Sequence, residues 1–197
     1  MYNLNQMDGT IRAFIAIELS DQARDELASL QSELRKAGAD VKWVEPGNIH
    51  LTLRFLGNLG PEKVEEIKAV LSEIAAGSRP FELTMKGVGA FPGLGSPRVI
   101  WAGVGLGAAE SERIAEAIET KLQAIGIPKE DRRFHPHITL GRVRSRKNCE
   151  KLRVIMEPIK FEAGSKINVD HLTLFSSQLT PRGSVYTPLF KASIAIS

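Results

Sequence analysis

The pattern His-x-Thr-Leu occurs in the chain at 50–53 and again at 137–140. Each copy provides a histidine, which can take or give a proton near neutral pH because its unperturbed pKa is about 6.5. Each copy also provides a threonine hydroxyl, which can donate a hydrogen bond to an oxyanion. Two histidines and two hydroxyls are the groups needed for acid–base chemistry on a phosphate.

Both copies read as β-strands, in which alternate residues face the same way. His50 and Thr52 therefore share one face, and the two leucines of that motif point into a core. His137 and Thr139 share a face in the same manner. The copies begin 87 residues apart, close to half of the 197 residues. This spacing predicts two related halves that each present one strand to a shared groove.

The residues around the two motifs are also alike. A proline lies shortly before each motif and a glycine shortly after it: Pro46 and Pro136, Gly57 and Gly141. The segments 43–57 and 133–142 resemble the two signatures of the 2H phosphoesterases. Within that superfamily the chain is similar to the bacterial and archaeal RNA 2′,3′-cyclic phosphodiesterases, historically called 2′-5′ RNA ligases. The resemblance runs from about Ile11 to Phe190.

The resemblance implies hydrolysis of an RNA or nucleotide 2′,3′-cyclic phosphate to a 2′-phosphomonoester. It makes His50 the proton donor to the leaving ribose oxygen and His137 the base that activates water. The two motifs are nearly symmetric, so the residues themselves do not show which histidine is the acid and which is the base. Ligation would be the same chemistry in reverse, with an RNA 5′-hydroxyl in place of water.

The phosphate also needs hydrogen-bond donors as charge develops on its oxygens. We expect these from Thr52 and Thr139, together with Arg142 or Arg54. Arg54 keeps the alternation of His50 and should face the site. Arg142 would face away from the site by strict alternation, and reaches it only if the strand bulges or bends at Gly141.

A metal site is the first competing interpretation. His135 and His137 lie two apart and could share one metal, with His50 or His171 as a third ligand. Zinc sites, however, usually have three or four ligands with acidic supporting partners, and no acidic residue lies close to either Thr-Leu. The single cysteine, Cys149, has no partner for a disulfide or a Cys-pair zinc site. We therefore expect no metal and no cofactor.

A third copy of the pattern occurs at 171–174. It lacks a proline just before it, and Ser176 and Ser177 follow where the other copies have a glycine. We therefore expect His171 to be a structural histidine of a late strand. The glycines of 87–93 and 103–107 do not form a dinucleotide-binding loop with the required acidic residue, so a Rossmann site is not expected.

The mildly basic composition is compatible with an RNA substrate but does not by itself indicate one. The chain is 43% hydrophobic and 25% charged, with a net charge of +3 and a pI of about 9.1. No apolar run approaches the roughly 18 residues of a membrane span, and the N-terminus does not read as a signal peptide. We expect a cytoplasmic monomer whose partner is an RNA end with a cyclic phosphate, or a small cyclic nucleotide.

The order of elements favours an α+β fold, because helices are spread between groups of strands. We predict four helices, at 21–36, 61–77, 109–125 and 149–156, the last capped by Asn148. We predict strands at 11–18, 41–44, 49–56, 81–88, 98–104, 134–143, 161–162, 166–176 and 185–194. The resemblance adds that residues 1–197 form one domain of two pseudo-symmetric lobes, with mainly antiparallel sheets lining a central cleft and helices outside.

Two other functions stay open at this level. The cleft could belong to a non-catalytic module that binds RNA ends without turnover. Alternatively, the chain could be a 2H phosphoesterase that acts on another small cyclic nucleotide or on a 2′-5′-linked oligonucleotide.

Overall fold

A computed structural model describes residues 9–181 and 183–194 of the chain. Within them, the strands are β1 (Ile11–Glu18), β2 (Val41–Trp43), β3 (His50–Leu59), β4 (Phe81–Leu83), β5 (Met85–Phe91), β6 (Val99–Val104), β7 (His137–Val143), β8 (Ile167–Val169), β9 (His171–Thr180) and β10 (Gly183–Ser193). The helices are α1 (Asp21–Arg35), α2 (Pro61–Ala76), α3 (Ala108–Ala124) and α4 (Cys149–Met156), and a 3-10 turn covers Pro46–Asn48.

Eight of these strands form one sheet, in the order β10-β9-β1-β3-β7-β6-β5, with β2 paired to β7 beside β3. The pairings described are antiparallel, which confirms the α+β class. The two motif strands, β3 and β7, are neighbours at the middle of this sheet, where Leu51 pairs with Ile138. Both motifs therefore lie side by side in the middle of the sheet.

The helices cover one face of the sheet because each carries an apolar stripe at helical spacing. In α2, for example, the buried side chains include Val64, Ile67, Leu71 and Ile74. They pack in one continuous core with the inward residues of β1, such as Ile15. The opposite face of the sheet carries the histidines and threonines of the motifs.

Each motif strand contains a one-residue bulge at the leucine that follows its threonine. In β3 the register against β1 skips Leu53, since Thr52 pairs with Ala16 and Arg54 with Ile15. In β7 the register against β6 skips Leu140, the residue after Thr139. A bulge shifts the alternation by one residue, so the side chains beyond it exchange faces.

Several boundaries differ from those predicted. The strand expected at 166–176 is divided at Asp170 into β8 and β9, and the strand expected at 161–162 is a single bridge between Glu162 and Lys86. The strand expected at 81–88 is divided into β4 and β5, and β4 pairs with β8 in a separate two-stranded sheet. Residues 134–136 precede β7 rather than belonging to it, because Pro136 cannot donate to a ladder. Asn148 stands before α4 with φ of 55° and makes no side-chain cap; its amide donates to the carbonyl of Gly38 instead.

Within the described parts of the chain, no helix combines the length and the apolar character needed to cross a membrane.

Candidate active site

The two motifs lie side by side on the adjacent strands β3 and β7, with their histidines and threonines on one face. Since Leu51 pairs with Ile138 and the strands are antiparallel, the same register places His50 opposite Thr139 and Thr52 opposite His137. The two histidines are then diagonal neighbours, a relation in which the residues lie roughly 7–8 Å apart and their Cβ atoms somewhat less. A phosphate fits between two side chains at this separation, with a threonine hydroxyl on either side.

Each imidazole is held by a backbone carbonyl two residues earlier. The Nδ1 of His50 lies 2.8 Å from the carbonyl oxygen of Asn48. The Nδ1 of His137 lies 2.7 Å from the carbonyl oxygen of His135. A carbonyl oxygen only accepts, so both Nδ1 atoms carry the proton and donate it. Nε2 is thereby left as the atom that exchanges protons in both rings.

His50 is packed among aromatic rings. Its imidazole stacks on Phe14 with 4.8 Å between ring centroids, and the Tyr186 ring stands nearly perpendicular to it with 5.4 Å between centroids. This burial lowers the pKa of His50 from 6.5 to about 4; the hydrogen bond to the Asn48 carbonyl opposes the shift and the charge of Arg24 adds to it. His50 is therefore neutral near pH 7 in the free protein.

His137 also packs against an aromatic ring but is less buried than His50. Phe91 lies edge-on to its ring at 4.9 Å. Burial lowers the pKa of His137, the hydrogen bond to the His135 carbonyl raises it, and the positive charges of His135 and Arg142 lower it further. His137 is thus a neutral base whose Nε2 lone pair faces the cleft.

The bulge in β7 brings Arg142 to the site. Beyond Leu140 the faces exchange, so Gly141 turns to the helix side, where a Cβ would lie 2.6 Å from Val41 Cγ1 and 3.0 Å from Trp43. Arg142 consequently shares the face of His137 and Thr139. The irregularity that Arg142 needs in order to reach the cleft is therefore present. It lies at Leu140, one residue before the glycine where it was predicted.

The equivalent bulge in β3 removes Arg54 from the site, contrary to its predicted position. Arg54 pairs with the buried Ile15 and lies on the helix side. Its guanidinium lies 2.9 Å from carboxylate oxygens of both Glu119 and Glu130, and it donates to the carbonyl of Pro128 at 2.6 Å. A phosphate ligand would need free donors in the cleft, and Arg54 directs its donors at α3 and the loop before β7.

The residue that the β3 bulge turns into the cleft is Phe55, which sequence reasoning missed. It is 52% exposed and its ring lies 6.0 Å from that of Phe14, which in turn stacks on Phe175 at 5.2 Å. A large exposed aromatic beside a candidate catalytic histidine offers a flat surface to a ring-shaped ligand. Strict alternation from His50 places Phe55 on the helix side of β3, so its exposure in the cleft can be predicted only once the bulge is known.

His171 lies on the same face but in a different setting. Its Nδ1 is 2.5 Å from Asp170 Oδ1, and its buried Nε2 faces Glu18 Oε1 at 3.4 Å. Burial raises the pKa of Glu18, but hydrogen bonds from Lys191 and Thr173, together with the charges of Lys191 and His171, outweigh it and lower the pKa overall. Both nitrogens of His171 are thus directed at carboxylates, unlike those of the motif pair.

Metal ligation by His135 and His137 has no support in the arrangement of side chains. Among residues 9–181 and 183–194, no three His, Cys, Asp or Glu side chains are grouped so that they could hold a metal ion. The backbone carbonyl of His135 instead fixes the ring of His137, as described above.

Comparison with known proteins shows which family this chain resembles. Residues 17–101 and 106–186 match the family described as LigT-like phosphoesterase. The RNA 2′,3′-cyclic phosphodiesterase of Methanothermobacter thermautotrophicus is 36% identical over 180 residues, which are 91% of this chain and 96% of that protein. The RNA 2′,3′-cyclic phosphodiesterase of Archaeoglobus fulgidus is 38% identical over 179 residues, covering 91% and 98%.

Solved structures show the same fold. The protein TT0787 of Thermus thermophilus superposes with a TM-score of 0.78 at 32% identity, covering 93% of this chain and 98% of that one. Escherichia coli LigT complexed with 3′-AMP superposes with a TM-score of 0.73 at 27% identity, covering 95% and 99%.

Proposed function

The chain belongs to the LigT-like phosphoesterase family, and we propose that it hydrolyses the 2′,3′-cyclic phosphate at the end of an RNA, or of a nucleotide, to a 2′-phosphomonoester. Its relatives carry the name RNA 2′,3′-cyclic phosphodiesterase, and LigT has been crystallised with 3′-AMP. The observation that carries the proposal is the arrangement of His50 and His137. Their Nε2 atoms, each fixed by a carbonyl behind the ring, lie on one face of two adjacent strands.

In the proposed reaction His137 Nε2 takes a proton from a water molecule as its oxygen attacks phosphorus. The bond between phosphorus and the ribose 3′-oxygen breaks on the opposite side, and His50 Nε2 gives its proton to that oxygen. The product is a 2′-phosphomonoester with a free 3′-hydroxyl. Each positioned proton transfer typically contributes about 10²–10⁴-fold in rate.

The negative charge of the transition state is stabilised by protein donors. Thr52 and Thr139 lie between the two histidines on the cleft face, and the β7 bulge adds the guanidinium of Arg142. Hydrogen-bond donors fixed in advance around a developing charge are a large term in catalysis. With a cation and two hydroxyls supplied by the chain, the mechanism that we propose needs no metal.

Protonation of His50 accompanies substrate binding in this mechanism. A proton donor must be charged before it acts, yet burial holds the pKa of His50 at about 4 in the free protein. A phosphodiester carries one negative charge, and an opposite charge at contact distance favours the imidazolium form. The bound substrate therefore raises the pKa of His50 and creates the acid that it needs.

The surroundings of the two histidines support the same assignment. Beside His50, Phe55 is 52% exposed and Tyr186 packs against the imidazole, and this surface suits a nucleoside attached to the leaving oxygen. The aromatic ring beside His137, Phe91, packs instead on Trp101. Arg142 makes the other half cationic, which suits the phosphate oxygens. The nucleoside then lies on the side of the proton donor and water on the side of the base.

The test is turnover of adenosine 2′,3′-cyclic phosphate, followed by phosphorus NMR of the product. We expect a dominant 2′-phosphate. A dominant 3′-phosphate would show that the 2′-oxygen leaves and that the substrate seats in the reverse orientation. Tight binding of a cyclic-phosphate RNA without any turnover would refute the enzymatic proposal and favour an RNA-end-binding module.

A further inference from the structure

Two cations stand directly opposite each other beside the proposed site. Lys42 of β2 and Arg142 of β7 are cross-strand partners in the antiparallel register. Both side chains are exposed. Neither lies within 4 Å of a carboxylate in the part of the chain that the structure describes.

This arrangement is unfavourable for folding, since like charges directly opposite on a sheet repel. Other lysines of the chain show the usual alternative, because Lys36, Lys63 and Lys68 each contact a glutamate three residues away at 2.6–2.7 Å. Exposed lysines without a carboxylate partner also occur elsewhere in the described chain, for example Lys151 and Lys160. Lys42 differs because it stands directly opposite a second cation, and a like-charged pair held in this register points to an external anion.

The faces of β2 and β7 place this pair in the cleft. Trp43, the neighbour of Lys42, lies on the helix side, where the guanidinium of Arg35 is 5.1 Å from its ring centroid. Lys42 must therefore face the opposite way, as its partner Arg142 does beyond the β7 bulge. Arg142 is close enough to His137 for its charge to act on that imidazole.

The pair lies beyond the motifs, at the end of the cleft. Arg142 follows Thr139 by two positions of the pleat on one face, a step of roughly 7 Å at about 3.3 Å per residue. Neighbouring phosphates of a single RNA strand can span such a step. Arg142 has five donors in a fork and can serve the reacting phosphate and a second one, whereas Lys42 reaches only the second.

We propose that Lys42, together with Arg142, forms a second phosphate subsite that binds the phosphate on the 5′ side of the nucleotide carrying the cyclic phosphate. This inference rests on the proposed function and narrows its substrate from a mononucleotide to an oligonucleotide end. Lys42 is then the specificity-determining residue, since it contacts the RNA chain but not the reacting phosphate.

The experiment compares kcat/KM for adenosine 2′,3′-cyclic phosphate with that for the dinucleotide ApA ending in a 2′,3′-cyclic phosphate. We expect the wild-type protein to prefer the dinucleotide. Lys42→Gln should lower the dinucleotide kcat/KM roughly 3–10-fold at low salt, as the loss of one partly exposed charged contact implies. The mononucleotide kcat/KM should stay within about twofold of wild type, because a surface substitution away from the reacting groups has little effect.

The salt dependence of kcat/KM and two further variants provide independent checks of the subsite. The slope of log kcat/KM against log salt for the dinucleotide should become shallower by about 0.7 in Lys42→Gln, the loss of one phosphate contact to a single strand. Lys42→Arg should restore most of the preference. The control is Lys68→Gln, which removes the same charge from α2, where it is paired with Glu65, and should change neither substrate.

Two results would overturn the inference. An unchanged dinucleotide preference in Lys42→Gln would mean that no phosphate sits there. An equal loss for both substrates would mean that Lys42 serves the reacting phosphate. If the wild-type protein turned over neither substrate, the proposed function would fail, and the subsite would be tested by binding. Calorimetry would then give the Kd of ApA 3′-phosphate and of adenosine 3′-phosphate for wild type and Lys42→Gln. A ratio of the two Kd values that is the same in both proteins would overturn the subsite.

Discussion

Replacing His50 with asparagine should change how the protein responds to acid. In the folded chain burial lowers the pKa of His50 to about 4, whereas in the unfolded chain the side chain regains its ordinary value of 6.5. Between these values the unfolded state binds more protons, so acid favours unfolding. His50 therefore contributes stability above pH 6.5 that is lost progressively as the pH falls through 6.5 towards 4.

The size of the effect follows from the two pKa values. From pH 7 to pH 5 the linkage relation gives a loss of about 2 kcal/mol in the free energy of unfolding from this one side chain. His50→Asn removes the titrating group and with it this component. The variant can be less stable than wild type at pH 7, but its free energy of unfolding should fall about 2 kcal/mol less over the same interval.

Urea denaturation followed by the fluorescence of Trp43 and Trp101 at pH 7, 6 and 5 measures this difference. Phe55→Leu is the control, since it alters the same face of β3 without removing a titratable group and should keep the wild-type pH dependence. Equal losses between pH 7 and pH 5 in His50→Asn and wild type would refute the reasoning. The imidazole would then be as well solvated as in a peptide, and the need for substrate-driven protonation would disappear.

Further predictions concern the other residues of the cleft. Arg142→Gln should lower kcat/KM roughly 10²-fold with little change in stability, because one donor to the developing charge is lost; a change below about threefold would remove Arg142 from the site. Arg54→Met should cost about 3 kcal/mol in urea denaturation, because it leaves Glu119 without its partner in a half-buried position, and a near-neutral result would contradict the role of this ion pair. His171→Ala should leave kcat/KM within a few fold, and a hundredfold drop in a folded variant would show that the motif pair was chosen wrongly. Dialysis against a chelator should leave turnover unchanged, whereas a loss that zinc or manganese restores would establish a metal-dependent reaction.

The sequence was sufficient to predict the four helices and most of the strands. The bounds of β1 and α1 follow from alternation, a serine cap and a glycine after the helix, which are local signals. The placement of each histidine on the same strand face as the threonine of its own motif also follows, because period-two alternation is preserved within each motif. Family resemblance supplied what alternation could not, namely that the two motif strands line one cleft.

The faces of Arg54 and Arg142 could not be predicted from alternation, because both lie beyond a bulge. The register skips Leu53 in one strand and Leu140 in the other, and each skip is set by pairing with a strand distant in sequence. The same device thus has opposite consequences for two arginines, turning Arg142 into the cleft and Arg54 towards Glu119. Gly141 was the one visible signal, since a side chain there would collide with β2.

The difference between the two halves of the cleft was likewise hidden in the sequence. The motifs are nearly identical, but Phe14 and Tyr186 reach His50 from β1 and β10, which lie far apart in the chain. Their rings set the burial that shifts the pKa of His50, so the chemical inequality of the two histidines is a tertiary property.

The most direct test of the two-histidine account is kcat/KM for adenosine 2′,3′-cyclic phosphate in His50→Ala, His137→Ala and the double variant, each verified as folded. The account predicts a loss of roughly 10² or more in either single variant. It also predicts that the double variant loses much less than the product of the two single losses, because both groups act in one transition state. A folded single variant that retained a near-normal kcat/KM would contradict the account, since one histidine would then be dispensable for the reaction.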